Sequence, residues 1–252
     1  MNLQDRTIIV TGAASGIGAA TARRLAEAGA NITVLDRDDA GVTVADAITA
    51  AGGKALFVQA DVADENSVES AVAQTIKKFG RLDGAFNNAG VEQQNIPVDQ
   101  LSLEQWNRAI TVDLTGVFLC IKHQVRAMLA SGGGAIVNTA STLGQTAMPN
   151  AGEYITAKHG VIGLTRAAAA DYTTKGIRVN AVSPGVTNTA MIQRVSQDPT
   201  FAAHFDKLRE RHIFDRFGEP EEVAEGVGWL LSDAASYVTG HVLAVDGGWQ
   251  AI

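Results

Sequence analysis

Short β-branched apolar runs alternate with longer stretches of helical periodicity along this chain. Thr7–Thr11, Asn31–Asp36, Lys54–Ala60, Leu82–Asn87, Ala135–Ala140, Ile177–Ser183 and His241–Val245 read as strands. Between them, Gly16–Ala28, Asp38–Ala51, Asp64–Phe79, Ser102–Ala130, Ala151–Thr174 and Pro220–Ser232 read as helices. Gly29 and Gly52-Gly53 close two of these, and Ser102-Leu103-Glu104-Gln105 opens the longest with a capping box.

Strands that alternate with helices need crossover connections, which are right-handed and cover both faces of a parallel sheet. The expected fold is α/β: a single-domain doubly wound Rossmann fold, with a seven-stranded parallel sheet and helices on both faces. Ile8-Ile9-Val10 and Leu56-Phe57-Val58 are apolar throughout, as middle strands of such a sheet would be. No linker, repeat or low-complexity stretch divides residues 1–252. One connection breaks the rhythm. Val186–Gly218 is long for a loop in a compact domain, the length expected of a substrate lid.

Composition narrows the function. The 252 residues carry a formal charge of −7 and no basic cluster, so no nucleic-acid partner is expected. No apolar run has the length to cross a bilayer, and the first residues lack a signal-peptide pattern, so no membrane partner is expected and the expected location is cytoplasmic. The lone cysteine, Cys120, sits among Phe118, Leu119 and Ile121 and reads as a small core residue. His123, His159, His204, His212 and His241 show no ligand spacing with Cys or carboxylates, so no metal is expected.

The candidate chemistry begins at Gly12, Gly16 and Gly18, where the first strand passes into the first helix. Glycines there let backbone approach a ligand, and the free N–H groups of a helix start attract phosphate. Asp36 closes the second strand eighteen positions after Gly18. A carboxylate there binds ribose hydroxyls and repels a 2′-phosphate, which favours NAD as cofactor. Arg37, beside it, is a solvated charge or a partner for that phosphate. Farther on, Tyr154 and Lys158 are four apart on a helix and share a face. A free phenol has a pKa of about 10, and lowering it by about three units takes roughly 4 kcal/mol, which close positive charge in a partly desolvated cleft supplies. Ser141, at the end of the fifth strand, is able to donate to a substrate oxygen.

With these residues in hand, the chain resembles the short-chain dehydrogenases/reductases over essentially its whole length. Thr11-Gly12-Ala13-Ala14-Ser15-Gly16-Ile17-Gly18 matches the family's cofactor turn, Asn87-Asn88-Ala89-Gly90 its fourth-strand motif, Ser141, Tyr154 and Lys158 its catalytic set, and Pro184-Gly185-Val186-Thr187-Asn188-Thr189 its nicotinamide segment. The resemblance implies hydride transfer between NAD(H) and a secondary alcohol or ketone, cyclic or aromatic, with Tyr154 moving the proton and Lys158 also holding the nicotinamide ribose. It further implies Ser15 and Ile17 in the cofactor turn, Asp61 and Val62 near adenine, Asn88, Ala89 and Gly90 along the cofactor, Pro184 and Gly185 beside the nicotinamide, Thr187 and Thr189 reaching its carboxamide, and a homotetramer. The small-residue face around Ala167 to Ala170 and the apolar end Trp249-Gln250-Ala251-Ile252 suit either that assembly or packing within the chain.

One position departs from the family, which has Asn where this chain has Asp113. A carboxylate there is a candidate proton-relay member, and it offsets part of the lysine's pull on the phenol. Candidate substrate residues are Glu92, Gln93, Thr142, Leu143, Asn150, Val186, Met191 and Ile192, an apolar set with a few polar contacts. Glu92 reads as a solvated glutamate, or as a contact to a cationic or polyhydroxylated substrate. Phe201, Phe205, Phe214 and Phe217 pack the lid or close over a ligand. Other readings are a dehydratase or epimerase, which lacks its usual sugar domain here, and a catalytically silent NAD-binding sensor or scaffold.

Overall fold

The computed structural model describes residues 1–197 and 205–251. Its centre is one seven-stranded parallel sheet in the order β3-β2-β1-β4-β5-β6-β7. The strands are β1 (Thr7–Thr11), β2 (Asn31–Asp36), β3 (Lys54–Gln59), β4 (Gly84–Asn87), β5 (Gly134–Thr139), β6 (Ile177–Pro184) and β7 (Val242–Val245). The order reverses between β1 and β4, which opens a crevice at their carboxyl ends. The glycine turn after β1 and Asn88 after β4 flank it.

Helices α1 (Gly16–Glu27), α2 (Gly41–Ala50) and the helix Pro220–Leu231 cover one face, and α3 (Glu65–Phe79), α5 (Gly116–Ser131) and α6 (Gly152–Tyr172) the other. Each face has its own apolar core, one around Ile9, Met128, Ile136 and Val161, the other around Ile8, Val10, Leu25 and Val227. Strands β1, β4 and β6 are buried nearly throughout because both cores press on them.

Two expectations are corrected. Leu56-Phe57-Val58 lies in an edge strand, not a middle one: β3 pairs only with β2, and Val58 alone of its residues is buried. Apolar content reports that both faces are covered, but strand position is set by the crossovers.

The helix expected over Ser102–Ala130 is also interrupted. It consists of α4 (Leu103–Ile110), a π-helical turn Thr111–Thr115, and α5. The capping box at its start is present, with Gln105 N–H donating to Ser102 Oγ at 3.2 Å and Ser102 N–H donating to Gln105 Oε1 at 2.9 Å. The π turn widens the helix by one residue at Asp113, and such turns frequently mark functional sites.

Candidate active site

The crevice is a cavity of about 670 Å³. Gly12 and Gly16 adopt φ of 63° and 54°, the left-handed region where glycine is favoured. A Cβ on Gly12 would lie 2.8 Å from Ala89 Cα, so the turn passes against the Asn88-Ala89-Gly90 segment with no room for a side chain. That contact is stitched by Thr11 Oγ1, which accepts from Asn88 N–H at 2.9 Å and Ala89 N–H at 3.0 Å. Asn88 Nδ2 donates to Gly12 O at 3.2 Å. Ser15, at the N-cap of α1, makes no side-chain cap hydrogen bond. A turn of glycines that opens a helix and faces a cavity has the geometry to hold a phosphate.

At the far end, the half-buried Asp36 accepts from Ala14 N–H at 2.9 Å and Asp38 N–H at 3.0 Å. These bonds fix the carboxylate at the rim of the cradle. Arg37, Asp61 and Val62 line the same end.

Ser141, Tyr154 and Lys158 all line the cavity. Ser141 sits two residues beyond β5 as the N-cap of a 3₁₀ turn, with Oγ accepting from Leu143 N–H at 3.2 Å. Among the described residues its hydroxyl donates to no partner, so its proton remains available. Tyr154 and Lys158 rise from the first turns of α6, with Lys158 Nζ 5.4 Å from the phenol ring centroid. The Lys158 side chain is almost fully buried, and Nζ donates to Thr139 O at 3.1 Å. His159, one residue on, is exposed and contacts Ile155 O, off the catalytic face as the helix geometry requires.

Asp113 is fully buried on the π turn and lies behind the cavity wall, not on it. Its Oδ1 accepts from Val91 N–H at 2.8 Å and is 4.0 Å from Lys158 Nζ, and its Oδ2 has no hydrogen-bond partner among the described residues. Burial pushes its pKa up to about 6, against the opposing pull of Lys158, the Val91 N–H and Arg108. A Cβ on Gly90 would fall 2.6 Å from Asp113 Oδ1, so the glycine is what lets carboxylate and lysine approach. A second buried carboxylate, Glu153, accepts from Gln94 N–H at 2.7 Å. The Val91–Gln94 wall of the cavity is thus hung from two buried acids.

Three expectations about the site change. Gly18 lies beneath the cavity; a Cβ there would fall 2.1 Å from Gly12 O, so it serves the close packing of the turn. Asn150 is exposed and outside the lining, with φ of 64°, and serves the turn into α6, since asparagine tolerates that region. Glu92 is half-buried at the cavity edge and faces two guanidiniums, Arg108 at 3.6 Å and Arg194 at 4.0 Å, which opposes the reading of a cationic substrate. The other expected cofactor and substrate residues line the cavity, among them Pro184, Gly185, Thr187, Thr189, Gln93, Leu143, Val186 and Met191.

Sequence reasoning did not find Arg108, Arg194, Met148, Leu208 or Trp249, which also line it. Nor did it find His212, buried beside them. His212 Nε2 accepts from Val186 N–H at 3.2 Å while Nδ1 lies 2.9 Å from Leu208 O, which together define the Nδ1–H tautomer. The ring stacks edge-on against Phe217 and Trp249, and Phe205 stacks edge-on against Phe217. These aromatics pack Phe205, His212 and Phe217 of that connection against Trp249, whereas Phe214 is exposed. Phe201 and His204 lie outside the described residues. Trp249 packs within the chain here, and Cys120 is buried, its thiol pushed up to about 12 by desolvation.

A switch-point crevice, a glycine cradle and a Ser–Tyr–Lys cluster define an oxidoreductase of the nicotinamide-dependent α/β class. A family model described as enoyl-(acyl carrier protein) reductase matches residues 12–250. The chain is 49% identical over 253 residues to the 2,5-dichloro-2,5-cyclohexadiene-1,4-diol dehydrogenase of Sphingobium indicum, covering 100% of this chain and 99% of the relative. It is 47% identical to the cis-4-hydroxycyclohexanecarboxylate dehydrogenase of Sinomonas cyclohexanicum, covering 98% of each. A solved structure from Beutenbergia cavernae, described as a putative NAD(P)-dependent gluconate 5-dehydrogenase with NADP bound at low occupancy, superposes with a TM-score of 0.92 at 39% identity, covering 100% of this chain and 99% of that one. The chain belongs to the short-chain dehydrogenase/reductase family, and its reaction is hydride transfer between a nicotinamide cofactor and a secondary alcohol or ketone. Among the described residues no helix is long and apolar enough to cross a membrane.

Proposed function

We propose that this protein is an NAD-dependent dehydrogenase of cyclic secondary alcohols, with Tyr154 as proton carrier, Lys158 as its electrostatic support and Ser141 as the donor that orients the substrate oxygen. The observation that carries it is one cavity lined by all three side chains, the glycine cradle and Asp36. The bound nicotinamide supplies the hydride acceptor. Tyr154 takes the hydroxyl proton during alcohol oxidation and returns it during ketone reduction. The Lys158 ammonium, held at Thr139 O, stabilises the phenolate. The preference for a ring alcohol draws on the two relatives, which are named for a cyclohexadiene diol and a hydroxycyclohexanecarboxylate.

Asp36 supports NAD over NADP. Its carboxylate, fixed by two backbone N–H groups, repels a 2′-phosphate, while Arg37 beside it is exposed and uncommitted to it. The segment from Val186 to Gly218 is the proposed lid over the substrate end of a single domain. Family membership also supports a homotetramer, for which exposed Ala167 and Ala170 on α6 leave a close-packing face; light scattering on the purified chain tests it. The function itself is tested by reduced-nicotinamide absorbance with a panel of ring alcohols. Turnover should appear with NAD and fall at least about a thousandfold in Tyr154→Phe, with cofactor affinity kept. Equal turnover by Tyr154→Phe would end the reading.

A further inference from the structure

The substrate end of the cavity carries an unbalanced charge. Its walls include apolar Leu143, Met148, Val186, Met191 and Ile192, and at one edge Glu92, Arg108 and Arg194. A single carboxylate there serves two guanidiniums, Arg108 Nη2 reaching Oε1 at 3.6 Å and Arg194 Nη2 reaching Oε2 at 4.0 Å. Among the described residues one positive charge is left over. Both separations exceed the ~2.7–2.9 Å of a charge-assisted N–H···O bond. Elsewhere in this chain a satisfied pair looks different: Arg216 grips Glu222 through two nitrogens at 2.7 and 2.8 Å, and Arg6 meets both Asp233 oxygens at 2.7 Å. The Arg108 side chain has one further contact, a 3.5 Å bond to Glu92 O, and the Arg194 side chain makes no hydrogen bond to any described residue. Their donors are largely unspent, and they face a cavity.

We infer that Arg108 and Arg194 form a subsite for a carboxylate carried by the substrate, so that the preferred alcohol is a hydroxylated ring acid. This rests on the dehydrogenase reading above. Gly90 passes directly against Lys158 Nζ, 3.6 Å from where its Cβ would be, and Glu92 is two residues on, at most about 7 Å along the chain. A six-membered ring placed between the Ser141–Tyr154 end and the arginine edge has its apolar faces toward Leu143, Val186 and Met191, which line the same cavity. Glu92 holds the two guanidiniums side by side, and the incoming carboxylate neutralises the remainder. Because Arg194 belongs to the helix Ala190–Val195 of the lid and Arg108 to α4 of the body, such a substrate also ties the two together.

The test compares kcat/KM for cis-4-hydroxycyclohexanecarboxylate and for cyclohexanol with NAD, in the wild-type chain and in Arg108→Gln, Arg194→Gln and Arg194→Lys. The wild type should favour the acid by roughly tenfold or more, mainly through KM, as one or two charge-assisted hydrogen bonds supply. Either glutamine variant should reduce that ratio by about tenfold, and Arg194→Lys should retain part of it. Calorimetry with cyclohexanecarboxylate, which has no hydroxyl to oxidise, should show binding to the wild type that weakens in Arg194→Gln and in about 0.5 M salt. A ratio near one, or a ratio the glutamine variants leave unmoved, would overturn the subsite. Oxidation of neither compound, with NAD or NADP, would overturn the dehydrogenase reading instead, and the calorimetry, which needs no turnover, would still decide the arginines.

Discussion

Asp113 offers the sharpest physical test. Replacing it by Asn removes the charge and keeps an Oδ1 acceptor for Val91 N–H. In the fold its pKa is lifted from 3.8 to about 6, chiefly by burial. A folded pKa above the unfolded one means that the group's stabilising contribution is complete below 3.8 and is lost as pH rises through about 6. The interval corresponds to about 3 kcal/mol in total, the cost of keeping an ionised carboxylate where water does not reach. Between pH 4.5 and 7.5 the wild type should therefore lose about 2 kcal/mol relative to Asp113→Asn. The comparison across pH cancels any fixed cost of the new amide, such as an unpaired Nδ2 donor, because that cost does not titrate. Urea unfolding followed by tryptophan fluorescence, at matched pH values for both proteins, measures it. A stability difference that stays flat across this window would refute the burial argument. The pH–rate profile of the same pair tests the relay role separately: if Asp113 passes protons to Lys158, the acid limb moves in the variant, and an unchanged profile removes Asp113 from the relay.

Three further outcomes are expected. Gly90→Ala forces a Cβ to 2.6 Å from Asp113 Oδ1, so turnover should fall at least about tenfold, with the Lys158 side displaced; wild-type kinetics in this variant would contradict the packing. Asp36→Ser should raise kcat/KM with NADP relative to NAD by more than tenfold, roughly the loss of one charge repulsion in the cleft, and steady-state kinetics with both cofactors measure it. Ser102→Ala removes half of the capping box and should cost about 0.5–2 kcal/mol of stability by denaturant titration with little change in KM.

The order of elements, the parallel sheet, the glycine turn, Asp36 and the Ser141–Tyr154–Lys158 set were legible in the chain because each depends on local spacing. Glycines mark where backbone crowds, four residues bring two side chains to one helix face, and alternating strand and helix signals force crossovers. Tertiary structure decided the rest. Leu56-Phe57-Val58 looks central by hydrophobicity yet lies at the sheet edge, since strand order depends on which crossovers turn back. No local signal announces the π turn that places Asp113 behind Lys158, because neither Gly nor Pro interrupts Thr111–Thr115 and a wide turn differs from an α turn only in which carbonyl each N–H reaches. Glu92, Arg108 and Arg194 are far apart in sequence and each alone reads as a solvated charge. Only the fold brings them to one cavity edge, where one acid faces two bases, because long-range electrostatics depends on distance through space and not along the chain.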